Sequence, residues 1–317
     1  MTTTLQTPRA APRPPASAVR SRRRLRTQRG MAPYLLILPT VLLIAVFLVY
    51  PVGSVFYYSL QKYNVTQSYD NGFVGFDNFV AIFQDEQFWS SLRFTGQWVV
   101  VEVGLQLVFG LILALVVNET FKGRGLARAF SFAPWAVSGV LTTAIWILIF
   151  NPSSGWGYYL AEAGLIPYGT SILSNAEGAF WGAIIAELWK GIPFFAILIL
   201  ADLQSAPTEL YEAAQVDGAN RWQRFRNITL PHIKNAIILT TLLRAVWEFN
   251  NVDLLYTLTG GGPGGSTTTL PLYVANTAIN AKEFGYGSAL TVVAFGILLV
   301  FSIVYLAVSR FGKENSK

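Results

Sequence analysis

The 317-residue sequence contains no cysteine and a single histidine, His232. The absence of thiols excludes a disulfide framework and thiol chemistry, and one histidine offers little on which to build a metal site or a Ser-His-Asp arrangement. Charged residues make up 13% of the chain, whereas soluble domains carry about 25%. Hydrophobic residues reach 53%. The composition therefore predicts an integral membrane protein, with no catalytic residues and no metal site.

Long apolar runs predict six membrane-spanning helices. A helix needs about 20 predominantly apolar residues to cross a bilayer, and six segments meet that length: 34–58, 94–117, 129–150, 180–200, 235–258 and 288–308. The expected fold class is an all-α polytopic membrane protein. Residues 31–60 would hold the first helix, 61–92 an extracytoplasmic connection, and 93–310 the remaining five helices.

The basic residues predict the orientation of these helices. Eight of the 23 basic residues are arginines before position 30, in a segment rich in proline, alanine and threonine that we expect to be a disordered tail at 1–30. The connection at 118–128, the segment at 203–233 and the C-terminal tail at 311–317 are also basic. Because cytoplasmic segments carry the excess of lysine and arginine, both termini are predicted to be cytoplasmic. A basic tail before a membrane helix is common, so no nucleic-acid partner is predicted.

The polar segment 203–233, between the fourth and fifth predicted helices, has its own local pattern. Pro207 predicts the first turn of a short helix, and Gly218 predicts its end because glycine adopts positive φ without strain. Asn220 predicts the cap of a second short helix. Pro231 is expected to end that helix or to kink its junction with the next span.

Five ionisable side chains lie inside the fourth and fifth predicted helices. An ionised side chain at the bilayer centre costs about 2.5–3.5 kcal/mol on insertion scales, so these groups must face protein or water. They could form structural ion pairs along each helix, Glu187 with Lys190 and Arg244 with Glu248. Alternatively, together with nearby tryptophans and asparagines, they could line a cavity for a sugar, which stacks on aromatic rings and exchanges hydrogen bonds through its hydroxyls. The five residues are Glu187, Lys190, Arg244, Glu248 and Asp253.

Several motifs resemble one transporter family. The sequence E-A-A at 212–214, followed by Gly218 and by I-x-L-P at 228–231, resembles the signature of permease subunits of binding-protein-dependent ABC importers. The runs W-E-F-N-N-V-D at 247–253, Y-T-L-T-G-G-G-P at 256–263 and F-x-P-W at 132–135 are similar to the carbohydrate branch, of the maltose and trehalose kind. The chain as a whole most resembles permeases of actinobacterial trehalose importers.

This resemblance implies an architecture and a set of partners. The expected fold is that of a type I ABC importer permease, a five-helix core preceded by one N-terminal helix, in the bacterial plasma membrane. The expected partners are a homologous second permease subunit, two ATPase subunits and an extracytoplasmic sugar-binding protein. The sequence has no G-x-x-x-x-G-K-[ST] phosphate loop, so we expect no cofactor in this chain and expect ATP and Mg²⁺ to be bound by the ATPase subunits. The chain would form half of the pathway for a sugar, such as the disaccharide trehalose.

The resemblance also implies site residues. The helix at 208–216 would dock on an ATPase subunit, and the expected coupling residues are Glu212, Ala213, Ala214, Asp217 and Gly218. The expected sugar-contacting residues are Trp135, Gly139, Glu187, Lys190, Gly191, Phe194, Arg244, Glu248 and Asn251. Several of these positions are neutral in maltose-type relatives and charged here, which leaves the identity of the sugar open.

Other functions remain compatible with the residues alone. The permease could carry another oligosaccharide or a glycerol-phosphate-like solute. Glu187 or Glu248 could serve as an acid or base in a membrane enzyme acting on lipid-linked sugar, or as a proton carrier in a secondary transporter. Neither of the last two accounts for the motif at 212–231, and an enzyme is therefore not predicted.

Overall fold

The computed structural model describes residues 33–309, so the tails predicted at 1–30 and 311–317 lie outside the described residues. The helices, in chain order, are α1 (Pro33–Ser59), α2 (Asp77–Gln84), α3 (Glu86–Asn118), α4 (Arg124–Ala136), α5 (Gly139–Ile149), α6 (Trp156–Glu162), α7 (Ala176–Leu203), α8 (Thr208–Val216), α9 (Arg221–Arg224), α10 (Leu230–Phe249), α11 (Asp253–Leu258), α12 (Leu270–Ala275) and α13 (Phe284–Ser309). Two-residue strands, β1 (Gln61–Lys62) and β2 (Gly72–Phe73), pair antiparallel. The predicted all-α class is confirmed.

The chain divides into two units at Val55. In the first unit, the described helical residues 33–53 are exposed along their whole length, as expected of an apolar helix whose surroundings are lipid. The remainder of the described chain, from Phe56 onward, forms the second unit and contains the core.

Four of the described helices, namely α1, α3, α7 and α13, are long and apolar enough to cross a membrane. The pair α4 and α5 would make a fifth span if counted together. The predicted fifth span, α10, is less apolar because it carries Lys234, Arg244 and Glu248. The total of six spans therefore stays a prediction, although each predicted segment contains a helix.

The third predicted span was expected to be one continuous helix, and this expectation was wrong because two helices occupy the segment. Helix α4 ends at Ala136 and α5 begins at Gly139, with a bend of 96° between them. Val137 and Ser138 are extended, and the Ser138 hydroxyl accepts a hydrogen bond from the backbone N–H of Leu141. A serine can begin a new helix by accepting a hydrogen bond from its first turn. The cap at Ser138 therefore starts α5 within a run that hydrophobicity alone predicts to be one helix.

The fifth predicted span also ends earlier than expected, at Phe249 rather than Leu258. The Asn250 side-chain amide donates a hydrogen bond to the Val246 carbonyl, 2.8 Å away. Asparagine side chains bond to nearby backbone in this way and disfavour helix interiors. Asn251 consequently lies beyond α10, before the short helix α11.

The core is built where α3, α7 and α10 pack together. Gly110 of α3 lies against α7 so closely that an added Cβ would be 2.4 Å from Phe195 Cβ. Phe195, Ala196 and Ile199 of α7 are completely buried at this contact. Because lipid supplies no hydrophobic drive between helices, close approach through small residues is how such helices associate.

Hydrogen bonds to Asp85 connect the start of α3 to α12 and α13. Its carboxylate accepts hydrogen bonds from the backbone N–H of Gln87 and from the hydroxyls of Tyr273 and Tyr286, at 2.8, 2.5 and 2.9 Å. Burial raises the pKa of the Asp85 carboxyl, but these hydrogen bonds and one from the Phe88 backbone outweigh it and hold the pKa below its usual value. Burial and the bond to Asp85 raise the pKa of Tyr273 to about 12. The Asp85 carboxyl is therefore ionised at neutral pH and accepts each of these hydrogen bonds.

Candidate functional site

Helices α3, α7 and α10 bring five polar side chains together in the core, and we call them the charge cluster: Glu102, Gln106, Glu187, Arg244 and Glu248. Arg244 is its centre. The Arg244 Nη2 atom lies 2.7 Å from Glu187 Oε1 and 2.5 Å from Glu248 Oε1. Its Nε donates to Gln106 Oε1 at 2.6 Å. One guanidinium on α10 thus joins all three helices.

Helix α3 completes the cluster through residues on one face. The Gln106 Nε2 donates to Glu102 Oε1 at 2.6 Å and approaches Glu248 Oε1 at 3.5 Å. Trp98 donates its indole N–H to Glu248 Oε2 at 3.3 Å, and the Asn251 amide donates to the same oxygen at 3.2 Å. Glu248 is therefore surrounded by donors from three parts of the chain.

The cluster is closed to solvent. The exposed fraction is 0% for Glu102, 4% for Glu187, 6% for Arg244 and 1% for Glu248. The predicted pair Arg244–Glu248 is confirmed, whereas Glu187 pairs with Arg244 of the neighbouring helix rather than with Lys190. The predicted contact of these residues with a sugar stays a prediction, and in this conformation they are covered.

Gly191, predicted as a sugar contact, lies against Gln106 of the charge cluster. A Cβ at this position would lie 2.1 Å from Gln106 Nε2 and 2.3 Å from Gln106 Cδ. The missing side chain therefore creates the space in which the Gln106 amide rests against α7.

Sequence reasoning did not assign Trp98, Glu102 or Gln106 to the site. The signal was present in the spacing. Trp98, Glu102 and Gln106 recur every four residues in the otherwise apolar stretch 98–117, and this spacing places them on one face. Polar residues on one face of a membrane helix indicate that this face packs against polar groups of a neighbouring helix.

Three further predicted sugar contacts, Gly139, Lys190 and Phe194, lie outside the cluster. Together with Trp247 they form what we call the accessible strip, in which Phe194 itself is buried beneath Trp247. An added Cβ on Gly139 would be 3.5 Å from Lys190 Nζ, which brings α5 close to α7. The Phe194 and Trp247 rings lie 5.0 Å apart, and the Arg244 guanidinium lies 5.9 Å from the Phe194 ring centre. Trp247 is 49% exposed. The strip therefore offers a lysine and an accessible tryptophan ring, and Phe194 connects it to Arg244 of the charge cluster.

Trp135, the remaining predicted sugar contact, is at the end of α4, on the other side of the 96° bend from Gly139. Its side chain is 47% exposed.

The polar segment 203–233 forms two short helices joined by a sharp turn. Helix α8 spans the predicted coupling residues up to Val216 and ends in a turn where Gly218 has φ of +77°. Asn220 caps α9, and Asn220 and Gln223 exchange side-chain and backbone hydrogen bonds in a capping box. The predicted helix, stop and second cap are confirmed, but Pro207 is the N-cap residue of α8 and lies just before its first turn.

The expectation that Pro231 ends the second short helix was wrong, because the backbone continues as a helix through it. Residues Phe225–Thr229 form a π-helical turn that leads directly into α10, and Leu230 is helical with φ of −63° and ψ of −41°. A proline inside an α-helix clashes with the carbonyl four residues earlier. The wider π turn relieves this clash, since the Leu230 N–H bonds to the Phe225 carbonyl five residues back.

Few side-chain contacts hold α8 against the rest of the chain. The Tyr211 and Thr229 hydroxyls are 3.0 Å apart, and His232 Nε2 lies 3.0 Å from Ser205 Oγ and 3.1 Å from the Asp202 carbonyl. A cleft of about 790 Å³ separates the end of α3 from this segment. Glu212, Ala213, Asp217 and Gly218 are exposed. The helix thus presents an accessible charged surface, and it is joined by a short turn to α7 and through α9 to α10.

Comparisons with known proteins agree with this architecture. Residues 106–311 match the family described as binding-protein-dependent transport system inner membrane component. The chain is 38% identical over 292 residues to the trehalose/maltose transport system permease protein MalF of Thermococcus litoralis, covering 92% of this chain and 98% of that one. It is 33% identical over 291 residues to the trehalose transport system permease protein SugA of Mycobacterium tuberculosis (strain H37Rv), covering 92% of each.

A solved structure is similar over most of the chain. It is the bacterial alginate ABC transporter in complex with an alginate pentasaccharide-bound periplasmic protein, with a TM-score of 0.76, 25% identity, and coverage of 89% of this chain and 95% of that one. The fold, the segment between α7 and α10 and these likenesses agree: the chain belongs to the family of inner-membrane components of binding-protein-dependent transport systems, and it is a multi-pass membrane protein with a type I ABC importer permease fold.

Proposed function

We propose that this chain is the permease subunit of an ATP-driven sugar importer and forms half of the translocation pathway for a disaccharide such as trehalose. The observation that carries the proposal is the exposed helix α8, held between two helices of the charge cluster. A helix in this position transmits movement to both α7 and α10, because it is covalently continuous with each through short turns. The similarity to permeases of trehalose and maltose systems supports the choice of sugar.

The proposed sugar contacts are those that the accessible strip presents. Lys190 can donate hydrogen bonds to hydroxyl groups, and Trp247 offers a face on which the apolar side of a sugar ring can stack. Glu187, Arg244, Glu248 and Asn251 lie behind this surface and keep their predicted roles as contacts that an opened state would uncover. Trp135 and Gly139 would border the same pathway from α4 and α5.

The proposed assembly contains a homologous second permease, two ATPase subunits that bind ATP and Mg²⁺, and an extracytoplasmic sugar-binding protein. The periplasmic protein seen with the alginate transporter supports the last partner. Both termini and α8 would be cytoplasmic, because the positively charged segments of the sequence fall on that side. Glu212 would make a charge-assisted hydrogen bond in the ATPase groove, and closure of the ATPase dimer would switch the pathway between inward-open and outward-open states.

The coupling role is tested by Glu212→Ala and Gly218→Pro in the assembled transporter. We expect ATP-dependent sugar uptake to fall by about tenfold for Glu212→Ala, the effect of losing roughly 1.4 kcal/mol of docking energy. Gly218→Pro should abolish coupling, because proline cannot adopt the φ of +77° found here. Uptake into proteoliposomes and ATP hydrolysis are measured together.

The matched control is Glu177→Ala, which removes an exposed glutamate from the opposite end of α7, about 40 Å away. Its uptake and hydrolysis should equal those of the unmodified protein. Normal coupling in both Glu212→Ala and Gly218→Pro would exclude α8 as the site of ATPase contact. Uptake by the permeases without any ATPase would instead favour a secondary transporter.

A further inference from the structure

Glu102 is a buried acid that the proposed transport function does not use. It lies near the middle of α3, its side chain is completely buried, and it makes one hydrogen bond, through Oε1, to the Gln106 amide. Its other oxygen, Oε2, has no hydrogen-bond partner among residues 33–309. A buried carboxylate with an unpaired oxygen is unfavourable, so its protonation state requires an explanation.

The Gln106 amide defines which oxygen of Glu102 can carry a proton. Arg244 has only donors, so the Gln106 oxygen must face the Arg244 Nε that donates to it at 2.6 Å. The Gln106 NH₂ group is thereby directed at Glu102 Oε1, which must accept. A proton on Glu102 can therefore occupy only Oε2, the oxygen without a partner.

The three acids of the charge cluster differ in their access to a cation. Glu187 and Glu248 both contact the Arg244 guanidinium directly, at 2.7 and 2.5 Å. Glu102 reaches it only through the intervening amide of Gln106. Of the three carboxyl groups, Glu102 is the one that ionisation would leave without a directly bonded positive charge.

The charges of the surroundings balance when one acid is neutral. The charged groups that bear on Glu102 are Glu187 from α7 and Arg244 and Glu248 from α10, and Lys190 of α7 acts in turn on Glu187. Three ionised carboxylates against two cations would leave one net negative charge in a region surrounded by lipid. One proton brings the five groups to zero.

The other helices that contact α3 bring their charges to its two ends. Arg128 of α4 is bonded to the Val117 carbonyl, close to the end of α3. Asp85 is the N-cap residue of α3, and Asp77 is the first residue of α2, which precedes α3 in the chain. The sequence of α12 has no charged residue. Among the described residues, the charges that act on the Glu102 carboxyl are therefore those of the charge cluster.

We propose that Glu102 is a proton-binding site of the membrane core, carrying its proton on Oε2 at neutral pH. In this form it is an uncharged positioning residue, which holds the Gln106 amide in the orientation that binds Arg244. The proton thereby contributes to the connection between α3, α7 and α10 without contacting the transported solute. This role is independent of which solute the transporter carries.

Infrared spectroscopy of the assembled transporter tests the proposal. A protonated carboxylic acid has a carbonyl stretching band that carboxylates lack, and the band shifts in D₂O. The sample is prepared in an ester-free detergent, because lipid esters absorb in the same region. We expect the difference spectrum between the unmodified protein and Glu102→Gln to contain one such band at neutral pH, and to retain it in mildly alkaline buffer.

Glu119→Gln is the matched control, since it makes the same change at an exposed glutamate just after α3, and its difference spectrum should lack the acid band. A difference spectrum for Glu102→Gln that also lacks the band would overturn the proposal.

Thermal unfolding provides a second readout. Because an amide reproduces the shape and neutrality of a protonated acid, Glu102→Gln should unfold within about 2 °C of the unmodified transporter. Glu248→Gln changes the same atoms at an ionised partner of Arg244, and its unfolding temperature should fall clearly below that of Glu102→Gln. If Glu102→Gln fails to assemble, or is destabilised as much as Glu248→Gln, Glu102 is ionised and the proposal is wrong.

Discussion

The charge cluster and helix α8 are both polar regions of an apolar protein, and they are stabilised in opposite ways. Arg244, Glu187 and Glu248 are at least 94% buried and satisfy one another across three helices. Glu212 and Asp217 are exposed, and their helix is shaped mainly by local signals, a glycine turn and the capping box that follows. Substitutions in the first region should therefore change stability, and substitutions in the second should change the response to a partner while stability is preserved.

Arg244→Ala should have the strongest effect on stability and tests the difference between the two regions directly. The substitution leaves Glu187 and Glu248 buried without a cation, and removing one partner of a buried ion pair destabilises a protein by about 3–5 kcal/mol. We expect little folded transporter, measured as the monodisperse fraction and the unfolding temperature after purification. Arg221→Ala, which removes an exposed arginine from α9, should change stability by less than about 0.5 kcal/mol. Equal losses in the two variants would contradict the distinction between the regions.

A smaller effect is expected from Gly191→Ala, which tests the packing of the cluster rather than its charge. The new methyl group would overlap Gln106, and overpacking of a core costs about 1–3 kcal/mol. The unfolding temperature should fall although no charged group has been altered. Gly104→Ala is the control, because an added Cβ there meets nothing within 4 Å. A stable Gly191→Ala variant would show that the Gln106 amide can move without consequence.

The smallest effect concerns the contact between Tyr211 and Thr229, which joins α8 to the base of α10. Removing one hydrogen bond changes stability by about 1 kcal/mol, and the single variants Tyr211→Phe and Thr229→Val should each lose approximately that amount. The double variant should lose little more than either, because both remove the same bond. We expect uptake per ATP hydrolysed to fall in parallel in all three variants. Additive losses would mean that the two hydroxyls act independently and do not connect the helices.

Local signals in the sequence predicted some elements accurately because each depends on neighbouring residues. The helix Thr208–Val216, the positive φ of Gly218 and the Asn220 cap all follow from residues within one turn of each other. The same kind of signal explains two errors. Ser138 and Asn250 were overlooked as helix-ending residues inside apolar runs, although their side chains bond to backbone only three or four residues away.

The candidate site was predicted less completely. The i,i+4 pair Arg244–Glu248 follows from helical spacing and was expected. The contact between Arg244 and Glu187 joins residues far apart in sequence, and α3 contributes Glu102 and Gln106 from a third helix. Helical periodicity shows which side chains share a face, but it does not show which face of which neighbouring helix they meet.

The sequence was sufficient to predict that the chain is a membrane protein, where most of its helices lie, and that a polar segment with a recognisable motif separates α7 from α10. These properties depend on composition, on the length of apolar runs and on short-range backbone bonding. The packed helices were needed to show that Glu187 pairs with Arg244, that Gly191 leaves space for Gln106, and that Glu102 is buried without a directly bonded cation. Those outcomes depend on how closely three helices approach and in which register, and the free energy of that packing is shared among residues distant in sequence.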